Sequence, residues 1–261
     1  MNSKALYFTS LILFNASNPL IAQPAPEKKV LDSKDAQPAA EKTVPVDIEA
    51  LNPSKRVGSS KIVPERAQEV LNFWFGELAD EENFPTDKVG LWVGGPETYR
   101  GISDQFLQDF QQAIVGGLND WRQTPRGRLA LILLLDQFPR HLYPHSPQAL
   151  ASDSMARGLV LEGLQRGDDT KLFPVERAFF YLPLERVEEI KFQDLSVEYF
   201  KNLVEESPAS IKPQMQKFLD FAILNREIIS KFGRFPYRNA ILRRESTPEE
   251  QVYLYQMGGQ N

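Results

Sequence analysis

Leu129 to Leu135 is an unbroken apolar run, and at ~3.6 residues per turn it covers every side of an α-helix. A helix that is greasy all round is buried all round, so the rest of the chain must wrap it. Thr124 is a good N-cap and Pro125 supplies the fixed φ of the first helical position. Pro139 predicts the end, because the residue before a proline avoids the helical region. The ends of the run are charged: Arg126 and Arg128 precede it, and Asp136, Gln137 and Arg140 follow. The pattern predicts the central helix of an all-α domain with polar groups at both mouths.

The wrapping helices are visible as stripes. Ala67, Val70, Leu71 and Trp74 follow Pro64 at helical spacing, and Gly76 ends them. Residues 83–96 read as a loop holding Trp92. Ile102, Phe106, Phe110 and Ile114 predict a seam between about Thr98 and Val115, broken at Gly116-Gly117. Ser146-Pro147 opens the next helix, carrying Leu150, Met155, Leu159 and Leu164 to Gly167. Pro174 opens a short aromatic helix stopped near Pro183. Two longer helices follow, about Val187–Glu206 and Ile211–Phe232, the second closed by Gly233. Its buried stripe includes Asn225, an amide that must find partners. Thr247-Pro248-Glu249-Glu250 combines a capping box with a first-turn proline. No strand alternation and no fixed-period repeat interrupts this series.

Absences exclude several chemistries. A formal charge of −5 does not favour nucleic acid or an anionic membrane. The lack of cysteine removes thiol nucleophiles, thiolate metal sites and disulfides. His141 and His145 alone leave little for a histidine-rich metal centre, and no metal or cofactor is expected. Nucleotide-binding glycine loops, the G-x-S-x-G elbow and H-E-x-x-H are all missing.

Residues 1–22 have the layout of a secretory signal peptide, with one lysine, an apolar stretch from Ala5 to Phe14 and Ala22 before a cut. The stretch falls short of the ~20 residues that span a bilayer, so no stable membrane span is expected there. Residues 23–60 alternate Pro, Ala, Lys, Glu and Asp with no apolar period and read as a disordered linker. The expectation is an exported protein, periplasmic or secreted, with one all-helical domain over 61–258.

Two charged groups stand out. Asp136 with Arg140, and Asp153 with Arg157, are each one helical turn apart. Alone, such pairs are local ion pairs of little energy. Asp136, however, directly follows the buried run, where a carboxylate needs a cation or several donors, and Arg126, Arg140 and Arg157 are available. The second group is GRFPYRNAILRR, which places Arg234, Arg238, Arg243 and Arg244 close together in an acidic chain. Guanidinium groups pair with carboxylates and phosphates. The cluster either binds an anion or ties the last helices to acids such as Glu185, Glu188 and Glu189.

TPRGRLALILLLDQFPRHLY, SPQALASDSMARG, FFYLPLERVEEIKFQ, GRFPYRNAIL and STPEE follow in that order. Together, over about Val63 to Leu254, they resemble the bacterial family called domain of unknown function 924. The resemblance implies an irregular α-α superhelix similar to tetratricopeptide arrangements, and no established activity. It places Arg126, Asp136, Gln137, Arg140, Asp153, Arg157, Glu188, Gln193, Arg234, Arg238 and Asn239 at the family's characteristic polar positions. The chain departs from that pattern at Arg186 and Val187, where the family reads His and Ser, and at Tyr237 and Asn225, where it has histidine. A family histidine cluster would therefore be missing here. Three readings follow: a binding module whose Arg/Asp-lined groove holds a peptide or small anion; a small-substrate hydrolase; or a member that keeps only the fold. In the hydrolase, Asp136 or Glu188 is the base and Arg126, Arg140 or Arg238 stabilises an anion.

Overall fold

The computed structural model describes residues 62–258. The expected signal peptide and the whole of the expected linker lie outside these residues. Among the described residues every regular element is helical and there is no strand. The α-helices are α1 (Glu65–Phe75), α2 (Val89–Val93), α3 (Pro96–Ile114), α4 (Pro125–Ile132), α5 (Phe138–Leu142), α6 (Asp153–Arg166), α7 (Pro174–Glu185), α8 (Ile190–Glu206), α9 (Lys212–Phe232) and α10 (Pro248–Gly258). No helix among the described residues is long and apolar enough to cross a membrane.

The apolar run lies at the centre, no residue of Leu129–Leu135 being more than 2% exposed. Helices α1, α6 and α7 pack around α4, while α8 and α9 pack against each other and against α7. Thr124 caps α4 as expected, its hydroxyl accepting from Gly127 N–H at 3.0 Å. Gly167 and Gly233 adopt the left-handed conformation that closes α6 and α9. The capping box also forms, with Thr247 N–H donating to Glu250 at 2.8 Å and Glu250 N–H to Thr247 at 3.2 Å.

Pro139 does not stop its helix. After α4 the backbone widens into a π-helical turn, Leu133–Gln137, in which Phe138 N–H reaches Leu133 C=O, and then continues as α5 through Pro139. A proline ring collides with the carbonyl four residues back, here that of Leu135. The wider turn relieves the collision, and the Ser152 hydroxyl donates to that carbonyl at 2.6 Å. Pro183 lies inside α7, which ends at Glu185, near the expected stop. The segment after it is irregular, so α8 starts at Ile190 rather than near Val187.

Other boundaries shift for simple reasons. The Ser146-Pro147 device caps only a 3₁₀ turn, Pro147–Leu150, and α6 begins at Asp153. Met155 is therefore 38% exposed. In α3 a strict four-residue repeat outruns the 3.6-residue period, so Ala113 takes the buried position and Ile114 is 42% exposed.

Candidate functional site

The C-terminal ends of α4 and α7 meet in one buried polar cluster. Asp136 is delivered by the π-helical turn and is fully buried. Its Oδ1 lies 3.4 Å from Arg140 and 3.5 Å from Arg186 Nε, and its Oδ2 accepts from the Gln137 amide. Arg140 also donates to both oxygens of Asp153, at 2.8 and 3.0 Å, and to the carbonyls of Asp136 at 2.5 Å and Ala149 at 3.3 Å. Burial works against the Arg140 charge, but the carboxylates of Asp136 and Asp153 outweigh it and hold the guanidinium firmly protonated. Beside it, burial and the Arg140 charge press His141 down to about 4, leaving a neutral imidazole packed on Trp74.

Glu185, the last residue of α7, is 1% exposed. Its Oε2 accepts from Asn225 of α9 at 2.9 Å, and its main-chain carbonyl accepts from Gln193 of α8 at 3.0 Å. The Gln193 amide also donates to Val187 C=O at 2.7 Å and so clasps the turn that leaves α7. Burial pushes the Glu185 carboxyl up to about 8; Arg186 and Asn225 oppose the shift, and Asp136 adds to it. Arg238 donates to the Arg186 carbonyl at 2.8 Å and stacks over Phe235 and Tyr237. Among the described residues it pairs with no carboxylate. Arg157, half-buried on α6, lies over the Phe192 ring beside Gln193.

The other expected residues fall elsewhere. Arg126 lies at the opposite end of α4, roughly 15 Å along the helix from Asp136, and pairs with Glu176 at 3.1 Å. It is no partner of Asp136, and Arg186 takes that place. Glu188 accepts from Arg244 on both oxygens, at 2.5 and 3.0 Å, and from Phe235 N–H at 2.8 Å. Arg244 holds its carboxylate below the ordinary range, with help from Phe235, although burial works the other way. Arg234 grips Glu250 at 2.6 and 2.7 Å, and Asn239 bonds to Ser246 and Glu250. Arg128 is a structural centre of its own, fully buried on Asp168 at 2.9 Å and Glu162 at 3.0 Å. Most of the arginine cluster therefore ties the C-terminal segment down, and Arg238 alone joins the Asp136–Glu185 group.

Glu185, Arg186 and Ser196 were not singled out in the sequence as members of a site. A run such as LERVEE reads as a solvated face, and the expected helix stop at Pro183 hid the fact that the next two residues stay buried. Their neighbourhood contains a concentration of buried polar atoms with no hydrogen-bond partner, among them Glu185 Oε1, Gln193 Oε1, Asn225 Oδ1 and Arg238 Nε. Native interiors satisfy nearly all such atoms, so a local concentration marks a place built for something polar. Among the described residues no group of three or more His, Cys, Asp or Glu side chains is arranged to hold a metal ion.

Residues 70–258 match the model of a family described as bacterial proteins of unknown function, DUF924. A solved structure of a protein of unknown function from Agrobacterium tumefaciens is similar to this chain, with a TM-score of 0.59 and 30% identity. The likeness covers 73% of this chain and 97% of that one. No curated protein matches the chain.

Proposed function

The chain belongs to the bacterial DUF924 family, whose description carries no activity, so we propose a function from the site itself: a helical module that binds a small carboxylate or phosphate anion. The observation that carries this reading is Arg238, a guanidinium 7% exposed, with Nε unpartnered and no carboxylate in direct ion-pair contact, Glu188 acting on it only from a distance. Arg238 is joined to the Arg186 main-chain carbonyl at 2.8 Å, and the Arg186 guanidinium is ion-paired with Asp136 at 3.5 Å. Guanidinium groups held in this way receive planar anions bidentately. The hydrolase reading has less support. Both oxygens of Glu188 are occupied by Arg244, and Asp136 is committed to two arginines and Gln137.

The test is thermal unfolding of the full chain with inorganic phosphate, acetate and succinate. Saturation at about 100 Kd raises stability by about 2.7 kcal/mol, and the gain disappears in Arg238→Gln. No shift with any of the three overturns the proposal. Export is part of the same proposal and rests on the signal-like residues 1–22. Mass spectrometry of the mature N-terminus checks it, and an intact Met1 in the cell-soluble fraction refutes it.

A further inference from the structure

The unpartnered atoms around the end of α7 separate by chemistry. Glu185 Oε1, Gln193 Oε1 and Asn225 Oδ1 lack partners, and all three are carbonyl or carboxyl oxygens. They are also linked, because Asn225 bonds to the Glu185 side chain and Gln193 to the Glu185 main chain. The Gln193 amide cannot be turned round to remove its orphan, since its nitrogen already serves two carbonyls. On the next residue the pattern reverses. Arg238 Nε is a donor without an acceptor, and Arg238 bonds to the Arg186 main chain, while Arg186 Nε makes only a 3.5 Å ion pair with Asp136. In its carboxylate form Glu185 thus gathers acceptors, and Arg238 brings a donor to Arg186, on adjacent residues of one turn. Ser196 Oγ, one helical turn beyond Gln193 and equally buried, can serve either side.

A ligand that is only an anion satisfies Arg238 and leaves the acceptors bare. An ammonium group has three donors and no acceptor, which suits the Glu185 side. We infer that the ligand of this site is a free amino acid, its carboxylate on Arg238 and its ammonium on Glu185, Gln193 and Asn225. This rests on the anion-binding reading and supplies the other end of the molecule. The charged groups acting on Glu185 are Arg186 beside it and Asp136 from the π-helical turn, while α8 and α9 contribute the neutral Gln193 and Asn225. Without a bound cation the Glu185 carboxyl is held protonated to about pH 8. An arriving ammonium draws it into the carboxylate form, so binding releases a proton.

Calorimetry on the full chain tests this. The twenty proteinogenic amino acids are screened by thermal shift, and each hit is titrated beside its amine-free acid (alanine with propionate, glutamate with glutarate, phenylalanine with 3-phenylpropionate). The expected result is at least one amino acid binding about tenfold or more tighter than its amine-free partner. Near neutral pH, titrations in buffers of different ionisation heat report release of close to one proton, and affinity rises with pH until about pH 8. Glu185→Gln abolishes both the preference and the proton release, and Arg238→Gln weakens amino acid and amine-free acid alike. If Glu185→Gln does not fold, proton release by the unaltered chain decides. Equal binding of the amine-free acids without proton release sinks the amino-acid assignment and leaves the anion site standing; no binding by either set sinks both.

Discussion

Asp136 holds two arginines at once, one from its own helix and one from the end of α7. Removing one partner of a buried charge group leaves the others buried and uncompensated, at a cost of about 3–5 kcal/mol. Asp136→Ala is therefore expected to lower the urea midpoint by a corresponding amount, and an unchanged midpoint removes Asp136 from the network. Glu185 gives a pH dependence of opposite sign to the usual carboxylate. Its folded value, about 8, lies above its unfolded value, so between about pH 4.5 and about pH 8 the native state binds the extra proton. Stability from this group is full in acid and falls as pH rises through that window. Urea melts of the unaltered chain and Glu185→Gln should diverge with rising pH, the unaltered chain losing ground; parallel profiles contradict the buried acid. Asp136 was legible in the sequence because it ends an apolar run with no solvated side. Glu185 and Arg186 were not, because their burial comes from α8, α9 and the segment after α9, which lie far along the chain.

Helix ends and stripes were legible where local chemistry decides them. Thr124, Gly167, Gly233 and Thr247 cap as their residue types require. Pro139 was misleading because packing outweighs propensity when a helix is enclosed, and there a side chain from another element serves the crowded carbonyl; Pro183 stands two residues from the end of its helix, as expected. The glycines of α6 make the same point in opposite directions. Alanine in place of glycine normally stabilises a helix interior by about 0.5–1 kcal/mol. A Cβ at Gly158 meets nothing within 4 Å, whereas one at Gly163 lies 2.6 Å from Phe180 Cζ and 2.7 Å from Arg128 Cδ. Gly158→Ala is expected to raise the thermal midpoint. Gly163→Ala is expected to lower it by about 1–3 kcal/mol of stability, since both neighbours are themselves buried. Shifts of the same sign in thermal melts would contradict this packing of α6 on α4 and α7.

The whole molecule is one large core with a small satellite. Ile228, Ile229 and Phe235 form a separate cluster, joined by Leu224, Phe232, Tyr237 and Tyr253. With so little apolar burial, the segment from Gly233 to Gly258 depends on its charges. Arg244 on Glu188 fastens its front half, and Arg234 on Glu250 its back half. The hydrogen bonds from Arg234, with those from Thr247 and Asn239, hold Glu250 down to about 2 despite desolvation, so its contribution is present above about pH 4.5 and is lost as pH falls through about 2. This same segment delivers Arg238 to Arg186, so the proposed anion site depends on a part of the fold that is expected to open before the core does. Glu188→Gln loosens the front fastening without entering the main core. Hydrogen exchange read by mass spectrometry at neutral pH should then speed several-fold over residues 234–245 and stay unchanged across α4 and α6. Uniform acceleration would mean that the segment unfolds only with the whole molecule, and no acceleration that the satellite cluster alone holds it. The expected pattern makes Arg238 the one member of the site whose position is set by electrostatics outside the core, so added salt should weaken anion binding through the fastening as well as through the ligand's own charge.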